Sequence, residues 1–443
     1  MMDKKKIRPK EKDTILQALR AGVVPRVGLH HIQVGRSQEV GALVNDLERI
    51  ENGSSFIRFI IGEYGSGKSF FLNLVRLIAL EKKNVVLNAD LAPEKRLYST
   101  TGQARALYAE LMRNISTRTK SDGGALPNII ERFISEVIRE ARDSGKSEEN
   151  CVQEKLQELQ ELVSGYDFAN VILQYWTGYK NDNKVLQNNA IRWFRGEYST
   201  KTEARKDLGV RTIIDDDDIY DYLKLFSKFI KMCGYNGLII CLDEMVNLYK
   251  LANTQSRTNN YEQLLRIIND TLQGSSSYMG FLMGGTPDFM LDTRKGLFSY
   301  EALQSRLAIN TFAKNGLIDF SGPIIRLQNL TPEDLFILLR NIRSIFAMGN
   351  PEKYLVPDEA LTSFMNYCNQ KIGEAYFRTP RNTIKTFVDL MSILEQNPTQ
   401  NWEELIGHIN VEIDKGDNNT PILDDEPNLN NVEGDDELRT FKL

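Results

Sequence analysis

Short apolar runs and long amphipathic ones alternate along this chain. Phe56-Ile57-Arg58-Phe59-Ile60-Ile61 is short and β-branched and predicts a buried strand. Phe70 to Leu80 is long and apolar enough for a buried helix. Asn84 to Asp90, Gly237 to Leu242, Gly280 to Gly285 and Ile324 to Leu327 predict further strands. Helical spacing fills the intervals. Thr14 to Ala21 predicts one short helix, and Gly22 to Gly28 an extended, turn-rich linker. Val40, Leu43, Val44, Leu47 and Ile50 recur on one helical face, with Ser37 as its cap. Leu126 to Phe229 is mostly helical by pattern, with Ser144 to Asn150 as a polar connector. Tyr249 to Arg257 reads as a polar loop and Tyr261 to Gln273 as a helix. From Thr331 onward only helices are predicted. The first has Thr331 as cap and Pro332 in its first turn, and the third opens at Arg378-Thr379-Pro380-Arg381-Asn382. Asp414 to Leu443 is acidic and asparagine-rich, the composition of a disordered tail.

This alternation predicts an α/β core with a parallel sheet and a C-terminal helical lid. The division it suggests is an N-terminal arm and linker over 1–33 and a core over 34–330. A large helical insertion at about 103–230 interrupts the core. A lid over 331–412 and an acidic tail over 413–443 follow.

Chemistry enters at Gly62-Glu63-Tyr64-Gly65-Ser66-Gly67-Lys68-Ser69, which reads G-x-x-x-x-G-K-S between a strand and a helix. Gly62, Gly65 and Gly67 allow a tight turn whose N–H groups face phosphate oxygens, and the following helix adds its positive end. Lys68 suits the β- and γ-phosphates, and the Ser69 hydroxyl suits Mg²⁺. The strand Gly237 to Leu242 ends in Asp243-Glu244. After a phosphate loop this predicts a carboxylate for Mg²⁺ at Asp243 and a general base for the attacking water at Glu244. Thr286 closes the strand from Gly280 with a hydroxyl placed to face the γ-phosphate and the lytic water.

Composition changes little of this picture. The 443 residues suffice for two or three domains. Lys and Arg total 55 against 60 Asp and Glu, a net charge of -5 that does not advertise a nucleic-acid binder. Met1 to Lys12 is basic, and reads either as a solvated arm or as one that contacts phosphate. No apolar segment follows it as in a secretory signal, and no run has the ~20 apolar residues of a membrane span. A reducing cytoplasm is therefore the expected setting. Cys151, Cys233, Cys241 and Cys368 lack metal-ligand spacing, which fits buried thiols. Asp215 to Asp218 reads better as an acidic start to the helix Ile219 to Phe229 than as a metal site. Trp176 and Trp193 read as core anchors rather than a ligand box.

Together the phosphate loop and the acidic strand end resemble the Walker motifs of the AAA+ ATPases. Val34-Gly35-Arg36 followed by Glu39 is similar to the Gly-Arg box of their origin-recognition branch. The resemblance implies ATP and Mg²⁺ as cofactors. It implies nucleotide contacts from Arg36 and from Gly62, Glu63, Tyr64, Gly65, Ser66, Gly67, Lys68, Ser69 and Phe70. It places sensor 1 at Thr286, where the family often has Asn, and sensor 2 at Arg381. Ser305-Arg306 resembles the pair that carries the arginine finger in clamp loaders. More narrowly, the chain is similar to the ATP-binding proteins of BREX-type bacterial phage-defence systems. The similar stretches are Leu19 to Gly28, Val34 to Arg36, Gly62 to Ser69, Leu242 to Glu244, Arg257 to Glu262 and Ser299 to Leu307. That resemblance implies antiviral defence with a DNA-translocating helicase as partner. Two functional readings follow: an oligomeric ATPase that loads or remodels its partner on DNA, and a nucleotide switch or scaffold without motor activity. Glu244 and Arg306 favour the first. A small-molecule kinase lacks support, because no second acceptor motif is present.

Overall fold

The computed structural model describes residues 7–313, 318–372 and 380–407. Arg378, Thr379 and the acidic tail lie outside the described residues. The sheet has five parallel strands: β1 Ser55–Ile61, β2 Val85–Asp90, β3 Leu238–Asp243, β4 Met279–Gly285 and β5 Ile324–Arg326. Their order is β2-β3-β4-β1-β5, so β1 sits between two strands that follow it in sequence. Every neighbour in such a sheet is reached by a crossover, which accounts for the helices between strands.

Both faces of the sheet are covered. In β1, Ile57, Phe59 and Ile61 join one core while Phe56 and Ile60 join another; in β3, Leu238, Ile240 and Leu242 part from Ile239 and Cys241 in the same way. This two-residue period with apolar side chains on both sides is why the strands read as unbroken apolar runs. Arg58 interrupts the run in β1 but is neutralised in place. Its Nε donates to Asp46 Oδ2 at 2.6 Å, its Nη2 to Asp46 Oδ1 at 3.0 Å, and its Nη1 to the carbonyls of Phe320 and Gly322. Such a buried pair is tolerable because each guanidinium nitrogen has a partner.

The helices are α1 Pro9–Arg20, α2 Leu29–Ile32, α3 Ser37–Glu51 and α4 Lys68–Glu81. Seven follow between β2 and β3: α5 Gln103–Arg113, α6 Leu126–Ser144, α7 Glu148–Gln160, α8 Gly165–Lys180, α9 Lys184–Phe194, α10 Lys201–Leu208 and α11 Ile219–Met232. Then come α12 Val246–Tyr249, α13 Thr254–Leu272, α14 Pro287–Leu291 and α15 Glu301–Arg306. The C-terminal set is α16 Pro332–Phe346, α17 Asp358–Ile372, α18 Pro380–Gln396 and α19 Trp402–Gly407. α3 and α4 cover one face of the sheet; α5, α11 and α13 contact strands on the other. The helices between β2 and β3 are pinned by rings: Phe168 meets Trp193, Phe194, Phe226 and Phe229 edge-on, and the buried Trp193 donates its Nε1–H to the Thr212 carbonyl. Trp176 and Trp193 are both buried, as core anchors should be.

Two local readings are revised. The first helix starts at Pro9, not Thr14, because Pro suits a first turn. The stretch 249–257 is not a loop throughout: Asn253 accepts the Ser256 N–H and starts α13 at Thr254. There Arg257 and Asn260 are buried polar residues. Asn260 Oδ1 accepts the N–H groups of Leu97 and Tyr98, and its Nδ2 donates to the carbonyls of Tyr98 and Ser256. A fully satisfied buried amide of this kind locks one loop in one position. The acidic run does precede α11, with Asp218 at its N-cap position, and one of its members has a further role. Asp216, buried, accepts the N–H of Gly102 at 2.6 Å and of Arg105 at 2.7 Å, and so caps α5 from 111 residues away. Asp216→Ala leaves two helix-end donors without a partner and should cost about 0.5–2 kcal/mol. Denaturant melts of Asp216→Ala and of exposed Asp217→Ala check this. Equal midpoints for the two would remove the cap.

The chain's two ends share one core. Ile15, Leu16 and Leu19 of α1 and Leu29 and Ile32 of α2 pack in the same cluster as α16, α17 and α18. Lys12 Nζ binds Glu395, and the Arg20 guanidinium donates to Ser392 Oγ. Four cysteines are free and buried, and burial pushes the Cys241 thiol up to about 12. Among the described residues no helix is long and apolar enough to cross a membrane.

Candidate active site

The loop between β1 and α4 turns on Gly65 (φ 76°) and Gly67 (φ 90°), a left-handed backbone that side chains rarely adopt. It delivers Lys68 and Ser69 to the first turn of α4. Lys68 Nζ donates to the carbonyls of Gly62 and Glu63, both at 2.9 Å. Ser66 Oγ is buried and has no hydrogen-bond partner among the described residues. A loop with an inward orphan hydroxyl and a lysine held only by carbonyls suits an anionic ligand.

β3 lies two strands from β1 and brings in the carboxylates. Ser69 Oγ donates to Asp243 Oδ2 at 2.5 Å, and Asp243 Oδ1 accepts the Glu244 N–H at 2.9 Å. The close approach needs Gly284 on β4, where a Cβ would stand 2.3 Å from Asp243 Oδ1. Glu244 itself is left-handed (φ 57°), a strained conformation that turns its side chain out of the strand into the cleft. Asp90 pairs in register with Asp243 at the same end of the sheet. Burial and then the Asp243 charge raise the pKa of Glu244, against the pull of Lys68. Burial, Asp243 and Glu110 raise that of Asp90, against Lys95. Burial lowers the Lys68 amine, opposed by Asp243, Glu244 and Glu63. Hard oxygens of Ser69 and Asp243 that already converge, with two further carboxylates nearby, fit a divalent cation such as Mg²⁺.

The cleft measures about 490 Å³, the size of a small-molecule site. Arg36, Tyr64 to Phe70, Glu244 and Arg381 all line it. Arg36 sits in a left-handed turn (φ 63°), donates to the Ser66 carbonyl at 3.4 Å and faces Glu39 at 3.8 Å. Burial lowers its pKa, with Glu39 and Asp334 opposing. Asp334 belongs to the Thr331 capping box that starts α16, so this turn abuts the C-terminal helices. Arg381 arrives from α18, and its Nη1 donates to the Tyr64 hydroxyl at 3.0 Å.

Two sequence-derived candidates stand apart. Thr286 is buried, and its Oγ accepts the Phe289 N–H at 3.3 Å as the cap of α14. It stays near the loop, because the Gly62 N–H donates to the adjacent Gly285 carbonyl. Arg306 is exposed at the end of α15, away from its own chain's cleft; Nε donates to Asn269 Oδ1 at 2.5 Å and Nη1 to the Ala302 carbonyl at 3.0 Å. Both of these partners are neutral. Two features are not legible in the sequence. Asp90 reads there only as a strand end. Val23, Val24 and Pro25, a linker by composition, form an apolar wall of the cleft with Ile32, Val34 and Ile384.

A family profile described as BREX system ATP-binding protein BrxC/D matches residues 7–410. The chain belongs to that family. As a BrxC/D family member it is an ATP-binding protein of a phage-defence system, and the other components of that system are its partners. An AAA+ P-loop core fits both the family and the five-stranded parallel sheet. No individually curated protein matches the chain.

Proposed function

We propose that this BrxC/D family protein is a Mg²⁺-dependent ATPase, acting as a homo-oligomer in the cytoplasm to load or remodel a helicase of its defence system on DNA. The observation that carries this reading is the convergence of Lys68, the Ser69–Asp243 pair, Glu244 and Arg381 on one cleft. Lys68 and the loop N–H groups hold the β- and γ-phosphates, and the apolar wall at Val23 to Pro25 takes the base. Ser69 and Asp243 hold the cation, which supplies charge neutralisation for phosphoryl transfer. Glu244 takes the proton of the attacking water. Thr286 still has its hydroxyl proton to offer that water. Arg381 acts within its own chain, and Arg306 reaches a neighbour's nucleotide. In this reading 34–330 is the ATPase core with its insertion at 103–230, and 331–412 is the lid.

The switch reading draws on one contact. Arg381 on the Tyr64 hydroxyl ties the C-terminal helices to the phosphate loop, so bound nucleotide can reposition them without sustained turnover. Steady-state ATP turnover with and without DNA separates the two. An ATPase loader turns over and responds to DNA; a chain that binds ATP but does not turn it over under either condition is a switch. Direct DNA binding should be modest and salt-sensitive, since each neutralised phosphate releases counterions and the net charge is -5. Filter binding at low salt with ATP checks it. No retention there would assign DNA contact to the partner alone.

A further inference from the structure

Metal-ligating side chains gather at one place outside the nucleotide cleft. α1 and α2 meet at Gly28, whose backbone is left-handed (φ 71°). A Cβ there would lie 2.5 Å from Ile15 Cδ1 and 3.2 Å from Glu11 Cγ, so the turn is packed directly on α1. It sets His30 and His31 beside Glu11. The two imidazole centroids are 4.0 Å apart, and His31 Nε2 stands 3.6 Å from Glu11 Oε1. One ligand atom from each of the three residues lies within 4.8 Å of the other two. Glu11 and His31 are half-buried and His30 is exposed.

Two imidazoles and a carboxylate form a recurrent ligand set for Zn²⁺, with water in the fourth position. Ligands at ~2.0–2.2 Å from a tetrahedral ion stand roughly 3.3–3.6 Å from one another. The Glu11–His31 pair has nearly that spacing. His30 offers the third ligand atom, within 4.8 Å of the other two. We propose that Glu11, His30 and His31 form a zinc site that staples α1 to α2. Ile32 and Gln33, directly after the histidines, line the nucleotide cleft, so the staple fixes one wall of that cleft. The site does not depend on hydrolysis.

The test uses full-length, tag-free protein stripped with a chelator and titrated with Zn²⁺ against a chromophoric competitor. Co²⁺ serves as the spectroscopic probe. Wild type should take up one equivalent of Zn²⁺, and Co²⁺ should show the intense visible bands of tetrahedral coordination. Glu11→Gln and His31→Ala should weaken uptake about 100-fold or more, beyond the loss typical of second-shell changes. His30→Ala alters an exposed side chain and should fold normally; Zn²⁺ should raise the melting temperature of wild type but not of this variant. Asp243→Asn, in the nucleotide cleft, should keep full uptake. Uptake unchanged in all three ligand variants, or lost only in Asp243→Asn, overturns the site.

Discussion

Arg306→Ala protein should bind ATP as wild type does and hydrolyse it about 10³–10⁵-fold more slowly, the usual worth of an arginine finger. The cleft already holds Lys68, Arg36 and Arg381, yet Arg306 lies outside it at the exposed end of α15. Its contacts to Asn269 and Ala302 restrain the side chain without neutralising it. In the proposed oligomer it would act on a neighbour's nucleotide. The sharper form of the experiment mixes Arg306→Ala with Lys68→Ala. Each is inactive alone, but one interface of the mixture pairs an intact loop with an intact finger, so part of the activity should return. A mixture that stays dead while light scattering shows both variants co-assembling would rule out action in trans.

Glu244→Gln should retain ATP binding and lose about 10²–10⁴ in turnover, because an amide cannot accept the proton of the attacking water. The strained backbone at Glu244 carries the argument further than the sequence order does. An acidic residue that merely ended β3 would continue the strand, whereas the left-handed turn carries this carboxylate into the cleft beside the Ser69–Asp243 pair. Lys68→Ala is the companion variant and should lose nucleotide binding itself, since it removes the cation facing the terminal phosphates. Nucleotide affinity by calorimetry and turnover by phosphate release separate the two effects. Wild-type turnover in Glu244→Gln would refute the assignment.

The parts of the fold readable in the sequence are those whose cause is local. A strand buried on both faces is an apolar run, a phosphate loop needs its glycines in order, and the capping box at Thr331 lies within one turn of its helix. What escaped reading has its cause elsewhere in the chain. Asp216 looks like the acidic start of the helix that follows it, because nothing nearby reveals that α5 lacks a cap. Val23-Val24-Pro25 has no periodicity, and its role as a cleft wall depends on Ile384. Asp90 becomes a neighbour of Asp243 only once β2 pairs with β3 across the helices that separate them. The stretch Arg257 to Glu262 is part of what makes the chain resemble its family, and its sequence does not show what its residues contact. In the fold its Asn260 holds a distant loop.

The shared core of the two chain ends bears on how this protein is made. α1 leaves the ribosome well before its packing partner α18: Arg20 and Ser392 are 372 positions apart and Lys12 and Glu395 are 383. At roughly 5–20 residues per second, α1 waits for tens of seconds with its apolar face unmatched while the sheet assembles behind it. That is a long-range contact of the slowest kind, made after the intervening chain has condensed. Until α18 is made, the apolar face of α1 is therefore open to chaperone capture and to mispairing.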